Sequence, residues 1–278
     1  MEPTLTRRMP KSRLSEMVLR SGGLIYISLM VLVPLFVILQ DGFREGISEL
    51  VHQISLPIAR HAILLTLWTS ALMTLINGVM GLITAYVIVR FQFPGKKIMN
   101  AIIDLPLAIP TLVTGVMLVM LYGPQEVIGR FLTEKIGLNV IFAPPGIVIA
   151  LLFISFPFVV RNIQPVLQEL DLAQEKAAET LGASPWKIFW KIVFPGLILP
   201  LLSGSLLSFS RAVGEFGAVV IVAGNIPLKT QTAAVYVLGA VESQNRLGAS
   251  AVSILLVAIS LLMLLIANTI HRTWSVKK

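Results

Sequence analysis

The sequence predicts an all-α membrane protein with about six transmembrane helices, and three observations carry that prediction. The 278-residue chain is 56% hydrophobic and 13% charged, with a mean hydropathy of +0.87, whereas soluble domains are about 45–50% apolar and about 25% charged. The apolar residues gather into blocks near the ~20 residues that a helix needs to cross the hydrocarbon core. The basic residues lie between those blocks and are shared unevenly between alternate loops.

The blocks fall at 24–39 (extending back to Val18), 62–89, 98–121, 146–160, 192–223 and 249–270. Arg7, Arg8, Lys11, Arg13 and Arg20 precede the first, as in a signal peptide, but no small-x-small cleavage site follows. A retained first span is therefore expected. In the third block Pro106 and Pro110 each remove a backbone donor and free a carbonyl, so a kink is expected there. It is either a static packing kink or one that exposes carbonyls to a water-filled passage. The fourth block is short, so its helix either starts inside Pro144-Pro145 or runs on past Arg161. The fifth is too long for one straight crossing and contains Pro195 and Pro200, which predicts a bend or an interfacial first turn.

Orientation follows from Lys and Arg. The N-terminal segment, the turn with Arg90, Lys96 and Lys97, the segment with Arg161, Lys176, Lys187 and Lys191, and the tail with Arg272, Lys277 and Lys278 hold fifteen together. The opposite loops hold six: Arg44, Arg60, Arg130, Lys135, Lys229 and Arg246. Both termini are expected in the cytoplasm. The organisation is then a cytoplasmic N-terminal segment 1–23, a first span with an extracytoplasmic loop 24–56, a transmembrane core 57–268 with a cytoplasmic loop 161–191, and a cytoplasmic tail 269–278.

That loop is the longest non-spanning stretch, which marks it as functional. Between Pro165 and Gly182, the residues Leu170, Ala173, Ala177 and Leu181 share a helical face, predicting a short amphipathic helix over 169–181. Gly182 fits the position past a helix end, and Ser184 with Pro185 fits the cap and first position of the next helix. The short helix either lies on lipid headgroups or docks on another protein; its small face, Ala173, Ala177 and Ala178, suits close approach to a protein.

Lys176-Ala177-Ala178, then Gly182, then Ile192-Val193-Phe194-Pro195 resembles the EAA loop of binding-protein-dependent ABC importers: Glu-Ala-Ala, three residues, Gly, nine residues, Ile-x-Leu-Pro. Lys176 stands where the family has Glu, with Glu175 and Glu179 nearby, and Phe194 stands for Leu. The resemblance covers about 57–268 and is closest to the sulfate/thiosulfate permease subunit T family, then to molybdate permeases. It rests further on Asp104-Leu105-Pro106-Leu107-Ala108-Ile109-Pro110, Phe156-Pro157-Phe158-Val159-Val160-Arg161, Arg211-Ala212-Val213-Gly214-Glu215-Phe216-Gly217-Ala218 and Ala223-Gly224-Asn225-Ile226-Pro227. The resemblance implies a type I ABC importer permease (MetI-like) fold in the cell membrane. It also implies a heterodimer with a second permease, two ATPase subunits and an extracytoplasmic sulfate-binding protein. The coupling residues would be Glu175, Lys176, Ala177, Ala178, Glu179, Gly182, Ile192 and Pro195.

Ionisable residues inside a membrane are functional candidates because each costs at least about 2.5–3.5 kcal/mol at mid-bilayer. Arg211 and Glu215 are four apart, share a helix face and are expected to pair. The pair is either a structural tie, or Arg211 lines the pathway and offers charge to an anion while Glu215 holds it. Gly214 and Gly217 bracket Glu215 and Phe216 and serve either close packing or an unwound, cavity-lining stretch. Asp104, about 9 Å deep at 1.5 Å per residue, repels an anion and is expected to cap a freed N–H or pair with a cation. Arg211, Gly214, Glu215, Phe216, Gly217, Asp104, Pro106 and Pro110 form the expected pathway or gate.

Several classes are excluded. There is no cysteine, His52, His61 and His271 are scattered, and no metal site is expected. No phosphate-binding loop occurs, so ATP is expected to be used by partner subunits and no cofactor by this chain. No aromatic-interleaved basic stripe suggests nucleic acid. The expected function is import of sulfate or thiosulfate, with molybdate or another oxyanion as the alternative. An ion-coupled carrier would show two corresponding broken spans in pseudo-symmetric halves, and the sequence reveals no such pair.

Overall fold

The computed structural model describes residues 13–275, which leaves Arg7, Arg8, Lys11, Lys277 and Lys278 outside the described residues. The described residues contain no strand. Twelve helices follow in order: α1 Met17–Gly42, α2 Ile47–Ser55, α3 Pro57–Arg90, α4 Lys96–Ala108, α5 Thr111–Tyr122, α6 Val127–Phe131, α7 Pro144–Glu169, α8 Leu172–Thr180, α9 Pro185–Val213, α10 Gly217–Ala223, α11 Ala233–Glu242 and α12 Arg246–Ser275. Among the described residues, five helices are long and apolar enough to cross a membrane. The bent pair α4–α5 makes a sixth if counted as one crossing.

The core is built around α7, the most buried of these helices. Glycines let its neighbours approach closely: a Cβ on Gly81 of α3 would come 2.7 Å from Val159 Cγ1, and one on Gly204 of α9 would come 3.1 Å from Val159 Cα. Without a hydrophobic drive between helices in lipid, such contacts and interhelical hydrogen bonds hold the bundle. Asn77 donates to Leu152 O at 3.2 Å, Ser208 to Ser155 O at 3.3 Å and Ser210 to Ser260 O at 3.2 Å, each worth about 0.6 kcal/mol. One end of the bundle packs Ala85, Ile88, Ile103, Ile163, Leu167 and Leu197 from α3, α4, α7 and α9. The other packs Ala59, Ala62, Ala240, Ala249 and Val252 from α3, α11 and α12. Helix α1 is unburied across its apolar window and touches α12 at Gly42, where a Cβ would lie 2.3 Å from Ile254 Cδ1.

The structure corrects several expectations. The third block is not a kinked span: it breaks between Ala108 and Thr111, and its halves lie 112° apart. Pro106 stays inside α4, while Pro110 forces Ile109 into extended backbone (φ −85°, ψ 129°) and ends the helix. The fifth block breaks at Gly214-Glu215-Phe216, not at its prolines. Pro195 follows a π-helical turn at Phe189–Val193, and Pro200 sits within the continuous helix. Helix α9 is still long enough to cross by itself, and the rest of the fifth block forms the separate short helix α10. The fourth block both starts at Pro144 and runs past Arg161 to Glu169, so 161–169 of the expected 161–191 loop continues the helix. The short helix is Leu172–Thr180 and not 169–181: Leu170 lies before it, against Gly196, and Leu181 is 88% exposed. Helices α2 and α11 were not expected at all.

Candidate functional site

The first candidate region is the crossing of the two breaks. Helix α9 ends at Val213, Gly214 has open space around it, and α10 begins at Gly217. Glu215 is 3% exposed, and its two carboxylate oxygens do different work. Oε1 accepts the Ala218 N–H at 3.0 Å, satisfying a free donor at the start of α10. Oε2 lies 2.7 Å from Arg211 Nη1. The expected pair thus forms, but across a helix break and not along one helix face. The Arg211 side chain remains 34% exposed. Phe216, half-buried, packs on the cluster containing Met73, Leu151 and Val219.

Against this turn lies the start of α5. A Cβ on Gly217 would come 2.2 Å from Thr111 Oγ1 and 3.1 Å from Leu112 N. One on Gly115 would meet Ile221 Cβ at 2.8 Å and Ala218 O at 3.0 Å. The two half-helices cross backbone to backbone, which only glycine permits. The structure therefore brings Arg211, Gly214, Glu215, Phe216, Gly217 and Pro110 to one place.

Asp104 and Pro106 lie apart from it. Asp104 is held by Arg161 in a fork, with Nε–Oδ1 at 2.7 Å and Nη2–Oδ2 at 2.6 Å. Arg161 also donates to Asn100 Oδ1 at 3.1 Å, to Asn100 O at 2.9 Å and to Gln164 Oε1. This clamp fastens α4 to α7. Pro106 lines a groove of about 370 Å³ with Asn77, Ile103, Leu152 and Phe153.

The second region is α8 and its flanks. Asp171 caps it by accepting the Ala173 N–H at 2.9 Å. At the far end Gly182 (φ +80°) donates to Glu179 O at 2.9 Å, and Ala183 donates to Ala178 O at 3.0 Å. That bond pair is a Schellman stop, which needs the left-handed conformation. Ser184 caps α9, accepting the Lys187 N–H at 3.4 Å. Lys176, Ala177 and Glu179 face outward, Ala178 is half-buried, and Ile192 and Pro195 lie at the base in the π turn and just after it. Glu175 instead points inward and pairs with Arg90 at the end of α3.

Sequence reasoning missed Arg90, Asn100, Gln164 and Asp171. Arg90 and Arg161 count only as topological charges until their acids, 85 and 57 residues away, are placed. Asp171 carried a usable signal, an acid immediately before a helical run. Among the described residues, no group of three or more His, Cys, Asp or Glu could hold a metal ion.

Residues 77–275 match the family described as binding-protein-dependent transport system inner membrane component. Over 246 residues the chain is 43% identical to a probable sulfate transport system permease protein cysT of Chlorokybus atmophyticus, covering 88% of this chain and 86% of that one. It is 42% identical to the sulfate transport system permease protein CysT of Synechocystis sp., covering 90% and 87%. In fold it is similar to a chain of a bacterial alginate ABC transporter crystallised in complex with a periplasmic protein bound to an alginate pentasaccharide, with a TM-score of 0.75, 18% identity and 94% coverage of both chains. A multi-pass chain with this crossing of broken helices and this capped external helix belongs to the family of binding-protein-dependent transport system inner membrane components, on the branch of the CysT permeases.

Proposed function

We propose that this chain is the permease subunit of an ATP-driven importer of sulfate or thiosulfate. It would work as a heterodimer with a second permease, driven by two ATPase subunits and fed by an extracytoplasmic sulfate-binding protein. Both chain termini and α8 would face the cytoplasm. The observation that supports this best is α8 itself: a helix with capped ends, an exposed surface that includes Ala173 and Ala177, and little contact with the bundle, in a family of ABC importer permeases. A helix exposed in this way is shaped to be gripped by a partner.

ATP binding brings the two ATPases together and displaces α8. That displacement shifts α3 and α9, and the crossing of α5 with α10 opens or closes as a two-state element. Arg211, half-exposed at the break, offers charge to a tetrahedral dianion. Glu215 keeps that attraction weak enough for release. The chain would hydrolyse no ATP and bind no cofactor of its own.

An ion-coupled carrier would show two corresponding broken spans in pseudo-symmetric halves; among the described residues one bent pair, α4–α5, has that character. Family membership and α8 favour the ATP-driven reading. The test is uptake of labelled sulfate and labelled molybdate into proteoliposomes holding the assembled complex. Sulfate uptake that requires ATP supports the proposal. Molybdate preference would reassign the cargo, and uptake without the ATPase subunits would overturn the mechanism.

A further inference from the structure

Arg90 lies outside the EAA loop, and its ion pair with Glu175 of that loop has a placement that suggests a mechanical role. Arg90 is the last residue of α3 and Glu175 lies in the first turn of α8. The two side chains are only 12% and 17% exposed, although most of α8 stands free. Arg90 Nε is buried without a hydrogen-bond partner, so the guanidinium has little to hold it except that carboxylate.

A cluster of aromatic rings lies at this end of α3. Tyr86, one turn back on α3, meets Phe189 edge-on at 5.2 Å and Phe91 at 6.2 Å; Phe189 in turn meets Trp190 at 5.3 Å. They limit access of water, and a low local dielectric strengthens an ion pair. From there α3 runs 34 residues, about 50 Å at 1.5 Å per residue. It is fixed to α7 through Asn77 and Leu152 O, and to the start of α11 through Thr66 Oγ1, which accepts the Ala233 N–H at 2.8 Å.

We infer that Arg90–Glu175 is a strut that makes α8 and α3 move as one body, so that displacement of the external helix reaches the opposite end of the bundle. This rests on the proposed coupling to an ATPase, and it makes both residues positioning residues for that coupling. Exposed ion pairs contribute about 0–1 kcal/mol and cannot bear such a load. Loss of one partner of a buried pair leaves an uncompensated charge and costs far more.

The experiment uses the assembled complex in proteoliposomes with three variants, Glu175→Gln, Arg90→Gln and the exchange R90E/E175R. Uptake per ATP hydrolysed is expected to fall about tenfold in each single variant, which corresponds to about 1.4 kcal/mol of lost coupling. The exchange should recover most of it. Because the chain has no cysteine, spin labels can also be placed uniquely, at Thr180 on α8 and Ile83 on α3. In the parent chain their separation should be the same without nucleotide and with ATP, and in Glu175→Gln it should change with ATP. A parent separation that changes with ATP overturns the strut. So do single variants with unaltered uptake per ATP, or an exchange no better than they are. Absence of sulfate uptake by the parent counts against the cargo alone, since the distance measurement needs no cargo.

Discussion

Replacing Glu215 by Gln separates the two uses of the carboxylate at the α9–α10 break. The amide oxygen can still accept the Ala218 N–H, but the charge facing Arg211 is gone and an amide N–H₂ approaches the guanidinium. Unit charges about 4 Å apart interact by about 4 kcal/mol at an effective dielectric near 20. The Arg211 side chain is 34% exposed, and water recovers part of that. A loss of about 2 kcal/mol is expected, below the ~3–5 kcal/mol of a fully buried pair that loses one member. If the freed Arg211 spends the same energy on an anion, retention tightens about 30-fold, at 1.4 kcal/mol per factor of ten. Equilibrium binding of labelled sulfate to the detergent-solubilised complex should show that gain, and ATP-driven uptake should show slower turnover. Arg211→Ala should abolish uptake while the protein still inserts. A Glu215→Gln variant that melts earlier with unaltered retention would identify a structural tie and refute anion contact.

Gly115→Ala places a methyl 2.8 Å from Ile221 Cβ and 3.0 Å from Ala218 O; overpacking of that kind costs about 1–3 kcal/mol, read as a lower melting temperature with reduced uptake. Gly182→Ala meets open space and costs only the strain of φ +80°, about 1–2 kcal/mol, so some transport persists. Gly182→Pro also removes the N–H bonded to Glu179 O; uptake is lost although the chain is found in the membrane fraction. Asp104→Asn leaves Arg161 with Asn100 and Gln164 and costs about 1 kcal/mol for a half-exposed pair. Arg161→Met removes the whole clamp and should lower thermal stability more than Asp104→Asn does.

Much of the molecule is legible in the sequence because lipid imposes a one-dimensional rule. Apolar length sets the spans: in lipid only helices and closed barrels satisfy the backbone, and continuous apolar runs lack the alternation of barrel strands. Local chemistry is equally direct: Gly182 followed by Ser184-Pro185 announces a helix stop and restart, and the four-residue spacing of Arg211 and Glu215 announces a pair. What escaped was whatever depends on a partner far along the chain. Pro106 and Pro110 look alike in sequence, yet only Pro110 ends a helix, because Pro106 is accommodated in α4 and buried by α3 and α7. Glu215 breaks the fifth span because its carboxylate can cap a new helix that packs on Thr111 and Gly115, a contact between segments about a hundred residues apart. Arg90 and Arg161 read as topological charges until folding places Glu175 and Asp104 beside them. Composition and periodicity thus determined an all-α chain with five or six apolar helices long enough to cross, near the places where they lie. Where those crossings break, and which charges meet, was settled by tertiary packing, since desolvated ion pairs and backbone crossings exist only between surfaces that the fold has already brought together.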